Sequence, residues 1–298
     1  MNLRDLRYIV AVADTGSFSK AAQACFVSQP ALSAQIAKLE NYLDIKIFER
    51  QSRAIVITEI GAAVIAHARR IVLESERLLS TVRDAGGQEI QAVSIGCFPT
   101  LAPYLFPSIA PALIGAESSL RLNLVEERSA DLLRALNEGK LDIAFLALPV
   151  PLDGLDAHTL FSENFLVCMR AHHPLAKRDG PLHYEHLAGE ELLLLADGHC
   201  MRDQALSVCA MQDLNFRRDY SGTSLETLRQ MVAIGAGITF IPELAVRDDN
   251  DALAYRAIEP SPPDRTIAML WRSDSPLSAY FENKLLPPTL ACCDSLFS

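Results

Sequence analysis

A chain of 298 residues, half of them hydrophobic and about a fifth charged, is long enough for two or three globular domains and carries no stretch apolar enough to read as a membrane segment. Its start, Met1-Asn2-Leu3-Arg4-Asp5-Leu6, contains an acid and lacks a long apolar core, so no secretory signal is expected; the cytoplasm, where glutathione keeps thiols reduced, is the expected compartment. The net charge of −10 speaks against a nucleic-acid partner for the chain as a whole, yet residues 1–86 carry 11 Lys+Arg against 9 Asp+Glu and the remainder 16 against 28, a mildly basic head on an acidic body.

In the head, Leu3, Leu6, Ile9, Val10 and Ala13 recur at helical spacing, and Gly16 ends that helix. Ser17 or Ser19 can cap a short second helix through Ala21, Ala22 and Ala24, and Phe26-Val27 forms an apolar turn. Ser28 then caps a third helix, which tolerates Pro30 in its first turn and runs to about Leu43. Ala31, Leu32, Ile36, Leu39 and Leu43 face inward on it. Ser28, Gln29, Pro30, Ser33, Gln35 and Lys38 are left to meet base edges and phosphates, as a helix seated in a major groove requires. A plain three-helix packing unit would share the apolar pattern. What favours DNA is the next stretch, where Ile45 and Ile47, then Ile55-Val56-Ile57, predict two short strands joined by Arg50-Gln51-Ser52-Arg53. Such a hairpin is a wing, and Arg50 and Arg53 would grip phosphate or a minor groove.

Several strings here, Phe18-Ser19-Lys20-Ala21-Ala22, Val27-Ser28-Gln29-Pro30-Ala31-Leu32-Ser33, Ile36-Ala37-Lys38-Leu39-Glu40, Phe48-Glu49-Arg50 and Thr58-Glu59-Ile60-Gly61, resemble the LysR-type transcriptional regulators. The resemblance implies a winged helix-turn-helix over residues 1–58 that reads partly palindromic double-stranded DNA at promoters as a symmetric dimer. It implies a regulator, not an enzyme.

Between Glu59 and Ala85 there is no proline, and Ile60, Val64, Ala68, Ile71, Ser75, Leu78 and Val82 step by threes and fours. Val64, Ile71 and Leu78 repeat at seven, as do Ala68, Ser75 and Val82, which is the period of a helix that packs along another. Residues 59–87 are therefore expected to be a dimerising linker helix ending in a Gly86-Gly87 hinge. The alternative is one long helix lying on its own domain.

Beyond the hinge, strands are expected at Ala92–Cys97, Leu120–Val125 and Ile143–Leu148, with helices at Leu101–Leu113 and Ala130–Glu138. A second set has strands near Asn164–Arg170, Glu191–Ala196, Ile238–Ile241 and Thr266–Trp271, and helices near Asp203–Cys209 and Ser224–Ala233. Strand and helix in alternation imply an α/β body with a parallel sheet and ligand chemistry at strand ends. Residues 88–298 are expected to form a two-lobed effector domain similar to periplasmic solute-binding proteins, lobe I from about 88–161 and 268–298 and lobe II from about 162–267.

Two of the seven cysteines stand out. Cys200 and Cys209 bracket a segment of helical character, and nine helical residues span roughly 13 Å, whereas a disulfide needs its Cα atoms within about 7 Å. Bonding them would require local unfolding, so oxidation would exchange one conformation for another. His199 and Arg202 flank Cys200 with positive charge that favours the reactive thiolate. The alternative is that both are small buried hydrophobes, as expected for Cys25, Cys97, Cys168, Cys292 and Cys293. No Cys/His spacing suggests a zinc site, and no metal or other cofactor is expected.

The body carries Phe98-Pro99-Thr100, Glu138-Gly139-Lys140-Leu141-Asp142, Asp197-Gly198-His199-Cys200-Met201-Arg202-Asp203-Gln204-Ala205, Thr223-Ser224-Leu225-Glu226-Thr227-Leu228 and Gly237-Ile238-Thr239, which resemble the hydrogen-peroxide sensors among these regulators. That resemblance implies Cys200 as peroxidatic and Cys209 as resolving cysteine, joined by a reversible disulfide. It further implies Thr100, Ser129 and His199 around the peroxide, and Arg202, Asp203 and Gln204 in support. Position 129 usually holds threonine in these sensors, so here the hydroxyl survives without its methyl group. The implied partners are DNA, hydrogen peroxide, further copies of the chain in a dimer and tetramer, a glutaredoxin or thioredoxin reductant and RNA polymerase, with no membrane. Competing readings are a LysR-type regulator that binds a small organic ligand between its lobes, and a thiol peroxidase, for which the winged head would be unexplained.

Overall fold

A computed structural model of the chain describes residues 1–51, 54–84, 92–195, 216–222, 224–246 and 252–297, which form two compact units, a head and a body. In the head, α1 (Leu3–Thr15) opens in a capping box: Asn2 Oδ1 accepts from Asp5 N–H, and Asp5 Oδ2 accepts from Asn2 N–H. It stops at Gly16, in the left-handed region that glycine adopts without cost. α2 (Phe18–Ala24) is capped by Ser17, and α3 (Gln29–Leu43) by Ser28, whose Oγ accepts from Ala31 N–H at 3.4 Å. Ile9, Val12, Ala21, Leu32, Ile36 and Leu39 close the core between them. Ala31, expected inward, is exposed, because it lies a third of a turn from the buried line of Leu32, Ile36 and Leu39.

The wing is β1 (Phe48–Gln51) paired antiparallel with β2 (Ala54–Ile57). β1 begins three residues after Ile45 because Ile47 N–H and Phe48 N–H donate to the buried Glu40 carboxylate, at 2.8 and 3.2 Å, which pins this stretch to α3. Burial pushes the Glu40 pKa up, but those two N–H groups and Lys46 outweigh it and hold the carboxyl below its ordinary 4.5. A depressed pKa means that Glu40 stabilises the head above that value and that its contribution fades as pH falls below it. Thr58 joins wing to linker. Its Oγ1 donates to Lys46 O at 2.6 Å and accepts from Gly61 N–H at 2.9 Å, capping α4 (Glu59–Asp84). A Cβ on residue 61 would lie 2.3 Å from Ile47 O, so the Thr58-Glu59-Ile60-Gly61 string is a packing requirement of this corner. Along α4 the expected single stripe divides. Ile65 and Ala68 are buried in the head core with Val64 against them, whereas Ile60, Ile71 and Leu78 are exposed, Leu78 to 63%.

In the body, β3 (Ala92–Cys97) lies between β4 (Arg121–Glu126) and β5 (Ile143–Leu148), all parallel, with α5 (Ala102–Ala116) and α6 (Ser129–Asn137) as crossovers. Asp142 latches the start of β5 onto β3 by accepting from Ser94 N–H at 2.9 Å. The sheet is not parallel throughout, as alternation of strand and helix had implied. β11 (Asp264–Arg272) returns antiparallel to β5 and to β6 (Leu155–Arg170), and β6 is also antiparallel to β9 (Thr239–Pro242) and β10 (Leu253–Arg256). β6 is far longer than the expected Asn164–Arg170, because it serves two cores in turn. Leu155 and Leu160 sit in the lobe I core with Ile95, Leu105, Phe145 and Trp271, and Phe165, Val167 and Met169 in the lobe II core with Leu193, Leu228 and Phe240.

Lobe II also holds the parallel pair β7 (Leu192–Leu195) and β8 (Phe216–Gly222), followed by α7 (Leu225–Ala233), capped by Ser224. α8 (Leu286–Ser295) packs on α5. The Gly237-Ile238-Thr239 string fastens β7 in place: Leu193 N–H donates to Ile238 O at 2.8 Å, Ile238 N–H to Glu191 O at 2.9 Å, and Thr239 Oγ1 to Leu193 O at 2.9 Å. A Cβ on residue 237 would lie 2.3 Å from Glu191 O. Gly237→Ala is therefore expected to destabilise the body by about 1–3 kcal/mol. Calorimetry reads this as a lowered Tm, and an unchanged Tm would mean that β7 can shift freely.

Candidate functional site

On the head, Ser28, Gln29, Pro30 and Lys38 are exposed on α3, as a DNA-reading surface needs. Two of the expected contacts face differently. Gln35 Nε2 donates to Asp5 Oδ1 at 2.7 Å, so this amide braces α3 against α1, and Ser33 Oγ is buried with no hydrogen-bond partner among the described residues. Arg50 stands on β1 opposite Ile55. Arg53 lies outside the described residues.

In the body, Thr100 and Ser129 follow the C-terminal ends of neighbouring parallel strands, β3 and β4, where Cys97 pairs with Glu126. Open α/β sheets bind ligands at this edge. A plain cap is excluded for Thr100, since the α5 N-cap is Leu101 and receives no side-chain hydrogen bond. The threonine, 1% exposed, is instead held by Arg265, which sequence reasoning missed: Nη1 donates to Thr100 Oγ1 at 3.0 Å and Nη2 to Thr100 O at 3.3 Å. Arg265 is itself held by Glu163. Its Nε and Nη2 reach Glu163 Oε1 at 2.8 and 2.6 Å, and both side chains are fully buried. Glu163 Oε2 accepts from Leu244 N–H at 3.0 Å, and the rings of Phe98 and Phe165 lie 5.2 and 5.6 Å from the guanidinium carbon. The pairing is visible only once the two strands are aligned. Arg265 and Glu163 stand opposite each other on two strands with apolar cores on either side, a setting in which one buried charge implies its partner.

The chemical consequence concerns protons. Because Thr100 Oγ1 accepts from Arg265, its own O–H can donate to something else, and it has no acceptor among the described residues. Ser129, at the first position of α6, has a buried Oγ with no partner among the described residues. Two hydroxyls at one sheet edge thus have hydrogen-bonding capacity to spare. His199, Cys200, Arg202, Asp203, Gln204 and Cys209 lie outside the described residues, in the stretch between the end of β7 at Leu195 and the start of β8 at Phe216.

Burial raises the pKa of three of the remaining thiols. Burial pushes Cys168 up to about 12, more than the charge of Arg229 pulls it down. Burial, with Cys292 and Asp294 adding to it, does the same for Cys293, and burial also raises Cys25 against the pull of Arg7. Cys97 is fully buried, with Sγ 3.7 Å from Phe98 O.

Residues 3–62 match the family model described as the bacterial regulatory helix-turn-helix protein, lysR family, and residues 86–283 match the LysR substrate binding domain. The chain is 41% identical over 288 residues to the DNA-binding transcriptional dual regulator OxyR of Escherichia coli, covering 95% of this chain and 93% of that one. It is 40% identical over 284 residues to the hydrogen peroxide-inducible genes activator of Dickeya chrysanthemi, covering 95% and 93%. Its fold matches a full-length OxyR variant from Pseudomonas aeruginosa with a TM-score of 0.75 at 33% identity, over 98% of this chain and 94% of that one. With both family models matched in order and these likenesses running nearly end to end, the chain belongs to the LysR family of DNA-binding transcriptional regulators.

Proposed function

We propose that this regulator responds to hydrogen peroxide through a reversible disulfide between Cys200 and Cys209. The observation that carries the reading is the buried Thr100–Arg265–Glu163 cluster, which fixes one hydroxyl as a donor at the sheet edge where Ser129 offers a second. Peroxide is small and uncharged and has little else to be recognised by. The names carried by the similar regulators, and the Gly198-His199-Cys200-Met201-Arg202-Asp203-Gln204 string beyond β7, support the same reading.

In the first step the Cys200 thiolate attacks one peroxide oxygen. An S–O bond forms, the O–O bond breaks, sulfur gives up two electrons, and the departing hydroxide takes a proton and leaves as water. His199, Thr100 and Ser129 hold the peroxide, with Arg202, Asp203 and Gln204 in support. In the second step Cys209 attacks the sulfenic sulfur, an S–S bond replaces the S–O bond, and a second water leaves. A dithiol of the glutaredoxin or thioredoxin kind reverses the change.

Closing the bond reshapes the segment between β7 and β8 and with it the packing of effector domains, which moves the heads on DNA. The exposed Ile71 and Leu78 on α4 are where a second copy packs, giving a dimer and, through the bodies, a tetramer. The regulator acts in the cytoplasm on partly palindromic promoter sites, which Gln29, Lys38, Arg50 and Arg53 read, with RNA polymerase as its downstream partner. The test is Cys209→Ser. After stoichiometric peroxide this variant should accumulate sulfenic acid at Cys200, trapped by dimedone and located by mass spectrometry, with no disulfide. Absence of the adduct would remove Cys200 from the first step.

A further inference from the structure

We propose that Phe26 is a specificity-determining residue of the DNA interface, whose ring packs on the C5-methyl group of a thymine in the major groove. This rests on the reading of α3 as the helix that meets base edges.

Three features carry it. Phe26 is 95% exposed, more than any other large apolar side chain among the described residues, whereas its neighbour Val27 turns in against the head core. Its φ is 56°, in the left-handed region that strains a phenylalanine and that glycine or asparagine enters readily. Phe26 N–H donates to Gln23 O at 3.1 Å and Val27 N–H to Ala22 O at 3.0 Å, so the strained turn is fixed and the ring is held clear of the head. A side chain that is both strained and exposed contributes little to the fold, and its contribution lies with a partner. The third feature identifies that partner. Phe26 stands two residues before Ser28, the N-cap of α3, and runs into the exposed Ser28, Gln29 and Pro30. A helix-turn-helix seats this end of its recognition helix against base edges in the major groove. Those edges carry hydrogen-bonding groups and one apolar group, the thymine methyl. A phenyl ring has no hydrogen bond to offer, so the methyl is the base-edge group it can recognise.

The test uses the full-length protein and a duplex that reduced wild type selects from a random-sequence pool. Wild type, Phe26→Asn and Phe26→Gly are titrated on that duplex and on copies in which single thymines are replaced by uracil, which removes only the methyl group. Both replacements suit the left-handed turn, so neither variant should melt below wild type, while both should bind the duplex more weakly. At one thymine of each half-site, uracil should cost wild type about fourfold in affinity, the worth of one buried methyl, and should cost the variants nothing. The slope of log affinity against log salt should stay at the wild-type value in the Phe26 variants, since no phosphate contact is lost, whereas Lys38→Ala should lower it by about one per copy bound. Phe26 variants that bind as tightly as wild type, or that keep the wild-type penalty at every uracil, would overturn the proposal. Gln29→Ala separates the two levels of the argument. If it weakens binding and Phe26→Asn does not, this inference alone fails; if neither does and Lys38→Ala leaves the slope unmoved, the reading of α3 fails first and this inference with it.

Discussion

Cys200→Ser abolishes the peroxide response: the DNA footprint of the treated variant stays that of the untreated protein, and its operator affinity changes by less than about twofold where wild type switches. A serine hydroxyl is not ionised at neutral pH and cannot give peroxide two electrons, however well Thr100 and Ser129 hold it. Two of the other thiols cannot stand in. Cys168 and Cys293 are buried with pKa values pushed up to about 12, so the thiolate fraction of each at neutral pH is negligible. A footprint that still changes with peroxide in this variant would move the sensor to a different thiol.

Arg265→Met has the second largest expected effect, and it falls on stability before function. Methionine fills much of the arginine volume but leaves Glu163 as an unpaired carboxylate inside the body, and breaking a buried pair from one side costs about 3–5 kcal/mol. In a unit of this size that lowers Tm by of the order of 10 °C. Replacing both partners, Arg265→Met with Glu163→Leu, should restore most of the stability, because the desolvated charge is gone. It should not restore the oxidation rate, because Thr100 then keeps its place without the donor that directs its hydroxyl. Calorimetry of the two variants separates these outcomes, and an Arg265→Met variant as stable as wild type would show that the carboxylate finds another partner or a proton.

Much of the fold was legible because local signals agreed with the final packing. Asn2, Ser17 and Ser28 are side chains suited to capping and they cap helices; Gly16 sits in the left-handed turn its type favours. Of the three parallel strands of lobe I, β3 and β5 are short apolar runs and β4 alternates polar with apolar residues, and their expected bounds differ from the observed ones by at most one residue. What escaped was set by tertiary pairing. β6 carries Asp156, His158, Ser162 and Glu163, which break its apolar pattern, and it is a strand because β11 lies along its full first half. β8 carries Arg217, Arg218 and Asp219 directly after Phe216, and α8 has Pro287 and Pro288 directly after Leu286, tolerable in a first helical turn but resembling a break in sequence. The candidate site divides in the same way. Thr100 and Ser129 were named from resemblance, whereas the Arg265–Glu163 pair that orients one of them joins residues 102 positions apart and has no local signature. Gln35, an exposed-looking amide on a recognition helix, proved to be tied to Asp5 thirty residues away.

The most direct measurement maps disulfides by mass spectrometry before and after one equivalent of peroxide, with hydrogen exchange of the segment between β7 and β8 followed on the same samples. A Cys200–Cys209 link that appears with peroxide, disappears with a dithiol and changes exchange in that segment is the expected result. Both thiols still alkylatable after treatment, or a link formed without any change in exchange, would contradict the redox switch.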